Sequence, residues 1–469
     1  MILQLSTYVA LLDLGLQTVT SKLLAEYYAK GEQESTHKLL SSSVSLLMLL
    51  CPVGFVVVGV LTWRVPDFFH QMPPALIPQV RLSLFMIGAA AAFALPFSAF
   101  AAVFTGLQEY GFPTAVALIG RGLSTALLIT MVLTGKGLVP MAIVVTIVNV
   151  AIAVTQWAGW RRFARERFRF SAFQMDRFMT RRLVRSGGVF AIWTLGFLVV
   201  SGLDVVVVGH YDYKDTGFYS IGATATNFML MCVSSLVSPL LPAVSAMQVN
   251  SKSIAVGNVV IHFSRFCALL LCALAIPLTV GAYPLLSLWV GTAYAAKSAS
   301  FLRILVLGGV VRTLGYPYET IVLATGQQHL ATVAVVAESV INLAVSIWLV
   351  QHVGAVGVAY GTLIGAVVHV GLHVGVSMRM TQQTITLSRV RFLVDSLLRP
   401  LVCVTPVLLL LPFVTWNKTL PASIPLLSTC ALATALMMAF VGLTPSDRKV
   451  IRERVLSWRK PNLAGASSN

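Results

Sequence analysis

Residues 161–185 read RRFARERFRFSAFQMDRFMTRRLVR, and the rest of the chain is laid out on either side of them. The stretch holds nine arginines against Glu166 and Asp176, in a chain whose charged fraction is only 10%. Long apolar segments precede and follow it. A solvated basic helix would satisfy this composition as local structure. In so apolar a chain, a dense positive block marks a cytoplasmic loop between membrane spans. Nucleic acid, the other polyanion that arginine clusters attract, is not expected, because no soluble domain is left to present the cluster.

With 57% hydrophobic residues and a mean hydropathy of +0.86, the 469-residue chain is too apolar for a soluble globule. An all-α polytopic membrane protein is the fold class this implies. The net charge of +17 mostly anchors one membrane face and names no substrate. Six cysteines (Cys51, Cys232, Cys267, Cys272, Cys403, Cys430) fall inside apolar segments without a CxxC pair, and read as small buried hydrophobes. The first residues lack the basic region and small-residue site of a cleaved signal peptide.

A span takes about 20 predominantly apolar residues. On that criterion thirteen segments emerge, centred near Gly15, Met48, Phe93, Ser124, Val148, Leu198, Cys232, Leu271, Gly308, Val336, Gly365, Val404 and Ala433. Short connections make neighbouring helices antiparallel. Alternate loops hold the arginine stretch, Lys252, Arg379 with Arg389 and Arg391, and a tail from Arg448 to Lys460; the other set is sparsely charged. The first set is therefore expected in the cytoplasm, with the C-terminus. The expected organisation is an N-terminal lobe of five helices (1–160), a basic loop (161–185), a second lobe of six (186–378), and a loop, two helices and tail (379–469).

The halves also repeat. Thr105-Gly106-Leu107-Gln108 resembles Thr325-Gly326-Gln327-Gln328, and the stretch from Gly137 to Ala142 (GLVPMA) resembles that from Gly354 to Ala359 (GAVGVA). Pro96 and Pro317 precede the first pair. Order and spacing together predict two pseudo-symmetric lobes in parallel arrangement.

Several short stretches carry a family resemblance: Leu12-Asp13-Leu14-Gly15-Leu16, Ala25-Glu26-Tyr27, Leu203-Asp204, Gly217-Phe218-Tyr219-Ser220, Leu288-Trp289-Val290-Gly291 and Ala324-Thr325-Gly326. In that order the chain resembles the bacterial polysaccharide (Wzx-type) flippases of the multidrug/oligosaccharidyl-lipid/polysaccharide exporter superfamily. The resemblance implies fourteen helices, two six-helix lobes plus a C-terminal pair, working by alternating access in the bacterial inner membrane. Family members have a helix before the LDLGL segment, which is missing here. The implied cargo is a polyprenyl-diphosphate-linked glycan, with membrane lipid and other polysaccharide assembly proteins as partners.

Ionisable groups at membrane depth must be paired, snorkel or line a wet cavity. Arg121 is expected to line a cavity, against the alternative of a structural pair. Arg312, Tyr316 and Glu319 share one helix face beside a ladder broken by Pro317, as in transporter sites, or form an internal ion pair. Glu338, Asn342 and Ser346 form a second stripe, in which Glu338 either carries a coupling proton or partners Arg312. Asp13 and Asp204 look like corresponding positions in the two halves, with gating or helix-helix bonding as their role. Asp395 and Arg399 read as a local pair.

His369 and His373 are four apart, but no third ligand is apparent, so no metal is expected there. No cofactor is expected and no GxxxxGK[ST] loop occurs. The chain reads as a flippase, not an enzyme, with Arg121 and Arg312 meeting the diphosphate. The rival readings are an organic-cation antiporter, kept open by Glu319 and Glu338, and a membrane ligase or polymerase, for which the outward loops are too short.

Overall fold

A computed structural model describes residues 13, 15–69, 72–171, 173–237, 253–410, 420–445 and 447–448. Lys252, the basic tail from Lys449 and the Leu12 and Leu14 positions of the first motif lie outside these residues. Among the described residues no strand occurs, and the chain divides into two compact units, Met1–Lys214 and Asp215–Asn469.

The first unit contains α1 (Leu16–Ala29), α2 (Gln33–Trp63), α3 (Ile77–Gly106), α4 (Gly111–Leu133), α5 (Leu138–Gly159) and α6 (Arg177–Tyr211). The second contains α7 (Thr216–Val237), α8 (Ser253–Val280), α9 (Thr292–Thr313), α10 (Tyr316–Ala324), α11 (Gln328–Val353), α12 (Val356–Leu372), α13 (Arg399–Leu410) and α14 (Leu420–Met437). Among the described residues ten stretches are long and apolar enough to cross a membrane, and they coincide with ten of the thirteen expected segments. The other three, centred near Gly15, Cys232 and Val404, border residues outside the described set. The protein is a multi-pass helical membrane protein.

A π turn, Trp160–Ala164, extends α5 into the arginine stretch, and Asp176 caps α6 by accepting from the Met179 amide at 2.8 Å. Between them Phe168 turns inward, while Phe173 stays exposed. Trp160 and Phe168 are buried with Phe100 of α3, and the indole N–H of Trp160 donates to the Phe168 carbonyl at 3.1 Å. The hydroxyls of Ser41 and Ser42 on α2 accept from the Ser171 and Asp176 amides. Arg182 reaches Glu26 at 3.0 Å. The stretch is thus a packed connection with arginines on its outer side, and α6, which it opens, belongs to the first unit.

The structure corrects the register of the repeat. α3 and α10 end alike: the Glu109 amide donates to the Phe104 carbonyl and the Gln327 amide to the Val322 carbonyl, closing the same left-handed turn. The positive φ falls at Gln108 (60°) in one and Gly326 (72°) in the other. The Thr-Gly pairs therefore do not correspond. Gly106 is inside its helix, where a Cβ would meet the Ser21 carbonyl at 2.8 Å. The matched prolines differ too. α3 runs unbroken through Pro96, while the chain breaks at Leu314-Gly315, between α9 and Pro317 in the first turn of α10.

At the end of the second unit, Asp447 binds α8. Its Oδ2 accepts from the Arg265 guanidinium at 2.5 Å and the Thr444 hydroxyl and amide at 2.6 and 2.9 Å, and His262 Nδ1 lies 3.2 Å from Oδ1. Arg265 is buried, and this carboxylate answers its charge.

A buried charged chain as the candidate functional site

The packing of α12 on α11 builds the site. Gly357, Gly361 and Gly365 recur every fourth residue of α12, on one helix face. A Cβ at these positions would come within 2.5 Å of the Leu349 carbonyl carbon, 2.8 Å of the Ser346 nitrogen and 2.9 Å of the Asn342 Cβ, all on α11. The two backbones are therefore nearly in contact, as small-residue stripes allow between membrane helices. His369 and His373 continue the same four-residue register beyond the glycines. Descending α12 past Gly365 brings His369 against Glu338, one turn from Asn342 on α11.

A continuous chain of charged and polar groups results. Arg312 Nε, at the end of α9, donates to Glu338 Oε1 at 2.7 Å. Glu338 Oε2 lies 2.7 Å from His369 Nδ1, a close contact without hydrogen-bond alignment. His369 Nε2 is 2.5 Å from Glu319 Oε1 of α10, and the same oxygen is 3.5 Å from His373 Nε2. Glu338, His369 and His373 are at most 1% exposed as side chains, Glu319 11% and Arg312 20%. The break at Leu314-Gly315 turns α10 so that Glu319 reaches the α12 histidines. A Cβ on Gly315 would sit 3.3 Å from Glu319 Oε1.

Arg312 and Glu319 thus share one cluster, as their spacing implies, but Glu338 and the two histidines join them. Of the two roles considered for Glu338, partnership with Arg312 is the one realised in geometry. The reading that His369 and His373 lack a third ligand-type group is overturned. Glu319 supplies one from a separate helix, 50 residues from His369, where helical spacing carries no signal. Tyr316 is half-buried against the apolar core of α7, α8 and α9. Asn342 accepts from Ser346 at 3.1 Å, and its Nδ2 has no hydrogen-bond partner among the described residues.

The remaining expected residues lie elsewhere. Arg121 is exposed on α4, in the first unit. Asp13 accepts from the Ser98 hydroxyl and the Gln17 amide, both at 3.3 Å. Asp204 is buried on α6. Both aspartates belong to the first unit, so they are not counterparts in the two compact units. Asp395 pairs with Arg399 at 3.0 Å as expected, with Arg391 at 3.5 Å on its other side.

A model of a family described as polysaccharide biosynthesis protein matches residues 2–248, over half the chain. The chain belongs to this family. No curated protein matches its sequence. Among solved structures, it resembles the lipid II flippase MurJ in an inward closed conformation with a TM-score of 0.65 at 12% identity, over 93% of this chain and 92% of that one. An inward-facing multidrug resistance MATE family transporter of the MOP superfamily matches with a TM-score of 0.65 at 13% identity, over 79% and 88%. A MOP superfamily transporter from Pyrococcus furiosus gives 0.53 at 14%, over 81% and 86%. The chain thus belongs to the polysaccharide biosynthesis family and has the fold shared by MurJ and the MOP-superfamily transporters.

Proposed function

We propose that this protein is a flippase that carries a polyprenyl-diphosphate-linked oligosaccharide from the cytoplasmic to the outer leaflet of the bacterial inner membrane by alternating access. Membership of the polysaccharide biosynthesis family is the observation that carries the reading. The polar glycan crosses through a wet path while the polyprenyl tail stays in lipid, and the C-terminus stays in the cytoplasm. Arg121 and Arg312 meet the diphosphate, where fixed positive charge offsets the cost of desolvating the anion. Of the two, Arg121 is the more available, because Arg312 is held by Glu338. Tyr316 and Glu319 complete the polar lining beside Arg312. Glu338, Asn342, Asp13 and Asp204 serve ion coupling or gating, and other polysaccharide assembly proteins deliver and receive the cargo.

An organic-cation antiporter is the second reading, favoured by the likeness to MATE transporters. Such a protein needs acidic groups free to meet a cation. Glu319 and Glu338 are instead engaged by His369, His373 and Arg312.

The test is depletion in the native cell, following polyprenyl-diphosphate glycans with a membrane-impermeant sugar-oxidising label. Finished units protected on the cytoplasmic side are the expected result, and an Arg121→Ala chain should fail to clear them. Accumulation on the outer face would instead indicate a ligase or polymerase, and no accumulation on either side would favour the antiporter.

A further inference from the structure

The second unit holds a donor set whose two histidines the flippase reading leaves without a role. Glu319, His369 and His373 each offer a ligand atom, and the three atoms lie within 4.8 Å of one another. We propose that they bind one divalent transition-metal ion of the zinc class, with Glu338 as the outer carboxylate that orients His369.

Four observations carry this. First, His373 is 1% exposed, and neither of its ring nitrogens has a hydrogen-bond partner among the described residues. A buried polar atom left unmade costs about 1–3 kcal/mol, so an imidazole aimed at a carboxylate from 3.5 Å is placed for something between them. Second, the distances suit a metal. Tetrahedral bonds of about 2.0–2.1 Å separate neighbouring ligand atoms by roughly 3.3 Å. The Glu319 and His373 atoms already stand at 3.5 Å. Those of Glu319 and His369, at 2.5 Å, need to part by about 0.8 Å, a small rotation of either side chain.

Third, an outer carboxylate is at hand. His369 Nδ1 lies 2.7 Å from Glu338 Oε2 while Nε2 faces the donor set, and Arg312 fixes Glu338 from the other side. A small rotation of the ring would align the Nδ1–H with that carboxylate and complete the carboxylate-histidine-metal relay that sets ring orientation at metal sites. A π turn, His373–Ser377, begins at the second histidine. Single π turns inside α-helices re-aim side chains and cluster at functional sites.

Fourth, the donor chemistry selects the ion. The two carboxylates, Glu319 and Glu338, face the Arg312 guanidinium and His369, whose two nitrogens lie against both of them, and either a proton on His369 or a bound cation completes the charge balance that membrane depth demands. Two imidazole nitrogens and a carboxylate oxygen favour zinc-like ions over sodium, calcium or magnesium, which prefer all-oxygen sites. Three protein ligands leave the fourth position to water or a further oxygen donor.

The full chain, purified in detergent and stripped with a chelator, is titrated with Zn2+ by calorimetry and with Co2+ by visible absorption. One ion per chain and the intense d–d bands of four-coordinate Co2+ are expected. His373→Gln should weaken Zn2+ binding by about 100-fold or more, and Glu338→Gln by about 10- to 100-fold. His37→Gln, half-buried in the first unit, and His352→Gln, exposed, should bind like the parent chain. His373→Cys should add a sulfur-to-cobalt charge-transfer band. If a variant loses its helical circular dichroism, the cobalt spectrum of the parent chain decides alone. The proposal is overturned if Co2+ keeps the weak spectrum of the hydrated ion, if no stoichiometric Zn2+ binds, or if folded His373→Gln binds as tightly as the parent. Binding is read without transport, so a failure here leaves the flippase reading untouched, and the converse also holds.

Discussion

Replacing Gly361 with alanine tests the close approach on which the charged chain depends. The new Cβ would lie 2.8 Å from the Ser346 nitrogen and 2.9 Å from its Cα, and 2.1 Å from its Oγ. The hydroxyl can rotate away, but the backbone cannot. With ordinary contact starting at 3.4 Å and the Ser346 nitrogen at 2.8 Å, α11 and α12 must part by about 0.6 Å. Overpacking of this kind costs about 1–3 kcal/mol. Alanine also propagates a helix better than glycine, by about 1 kcal/mol in water and by an amount that differs in a membrane. Gly371→Ala removes this uncertainty, since Gly371 is on the same helix and its Cβ would meet nothing within 4 Å. The propensity gain then cancels between the variants, and the overpacking cost remains as their difference. Reversible unfolding in mixed detergent micelles of increasing SDS fraction should separate them by about 1–3 kcal/mol, with Gly361→Ala the weaker. If both unfold at the same SDS fraction, the contact between the two backbones is not as close as described, and the argument that it positions His369 against Glu338 fails with it.

Arg312→Ala leaves Glu338 buried without its guanidinium and should cost about 3 kcal/mol of unfolding free energy, much of it recovered when Glu338→Gln is added, as a double-mutant cycle would show. At the end of the second unit, burial pushes the Asp447 carboxyl up, but the Thr444 hydroxyl and amide, Arg265 and His262 outweigh it and hold it below the ordinary 3.8. A depressed folded-state value means stabilisation is complete above pH 3.8 and is lost as pH falls toward and through the folded value, so parent and Asp447→Asn unfolding curves should converge only in acid below about pH 4. A gap between the two that stayed constant down to pH 2 would refute this. Arg182→Ala removes the tie from the arginine connection to Glu26, and because both side chains are about one-third exposed it should cost under about 1 kcal/mol in the same micelle assay.

Hydropathy makes the spans legible because a bilayer demands about 20 apolar residues per crossing, whatever the partners. The same demand hides the site. Within a span, a glycine that closes a helix pair looks like a glycine that does nothing, and Gly361 and Gly371 differ only in what stands opposite. Arg312 and Glu319 lie seven residues apart and so stay near one another in space, although the break at Leu314-Gly315 puts them on separate helices and they meet through Glu338 and His369. Glu338 and the histidines come from two further helices, so only tertiary packing tells Arg312 which carboxylate to hold. The Thr-Gly repeat misled by two residues for a related reason. Composition matched at Thr105 and Thr325, while the turn chemistry that defines a helix end sits at Gln108 and Gly326. One signal was present and unused: the register Gly357, Gly361, Gly365, His369, His373 is unbroken, and a small-residue stripe that turns into histidines marks the face where a helix meets its neighbour.

That register also explains why the charges sit where they do. Along the glycines α11 and α12 leave no room for a side chain between them, so a polar group there is met by near neighbours and backbone, as the Ser346 hydroxyl is by Asn342 on its own helix and by the Val358 carbonyl of α12. At His369 the glycines stop, and two imidazoles occupy the space just where the break at Gly315 delivers Glu319 from a third helix. A close pair beside a broken helix thus gathers Arg312, Glu319, Glu338 and the two histidines into one buried cluster. Moving the glycine stripe by one residue would turn both histidines off the α11 face and leave Glu338 with Arg312 alone. The pairing of close packing with a polar end is therefore one device, and Gly361→Ala should disturb Zn2+ binding at His369 and His373 two to three turns away, whereas Gly371→Ala should not.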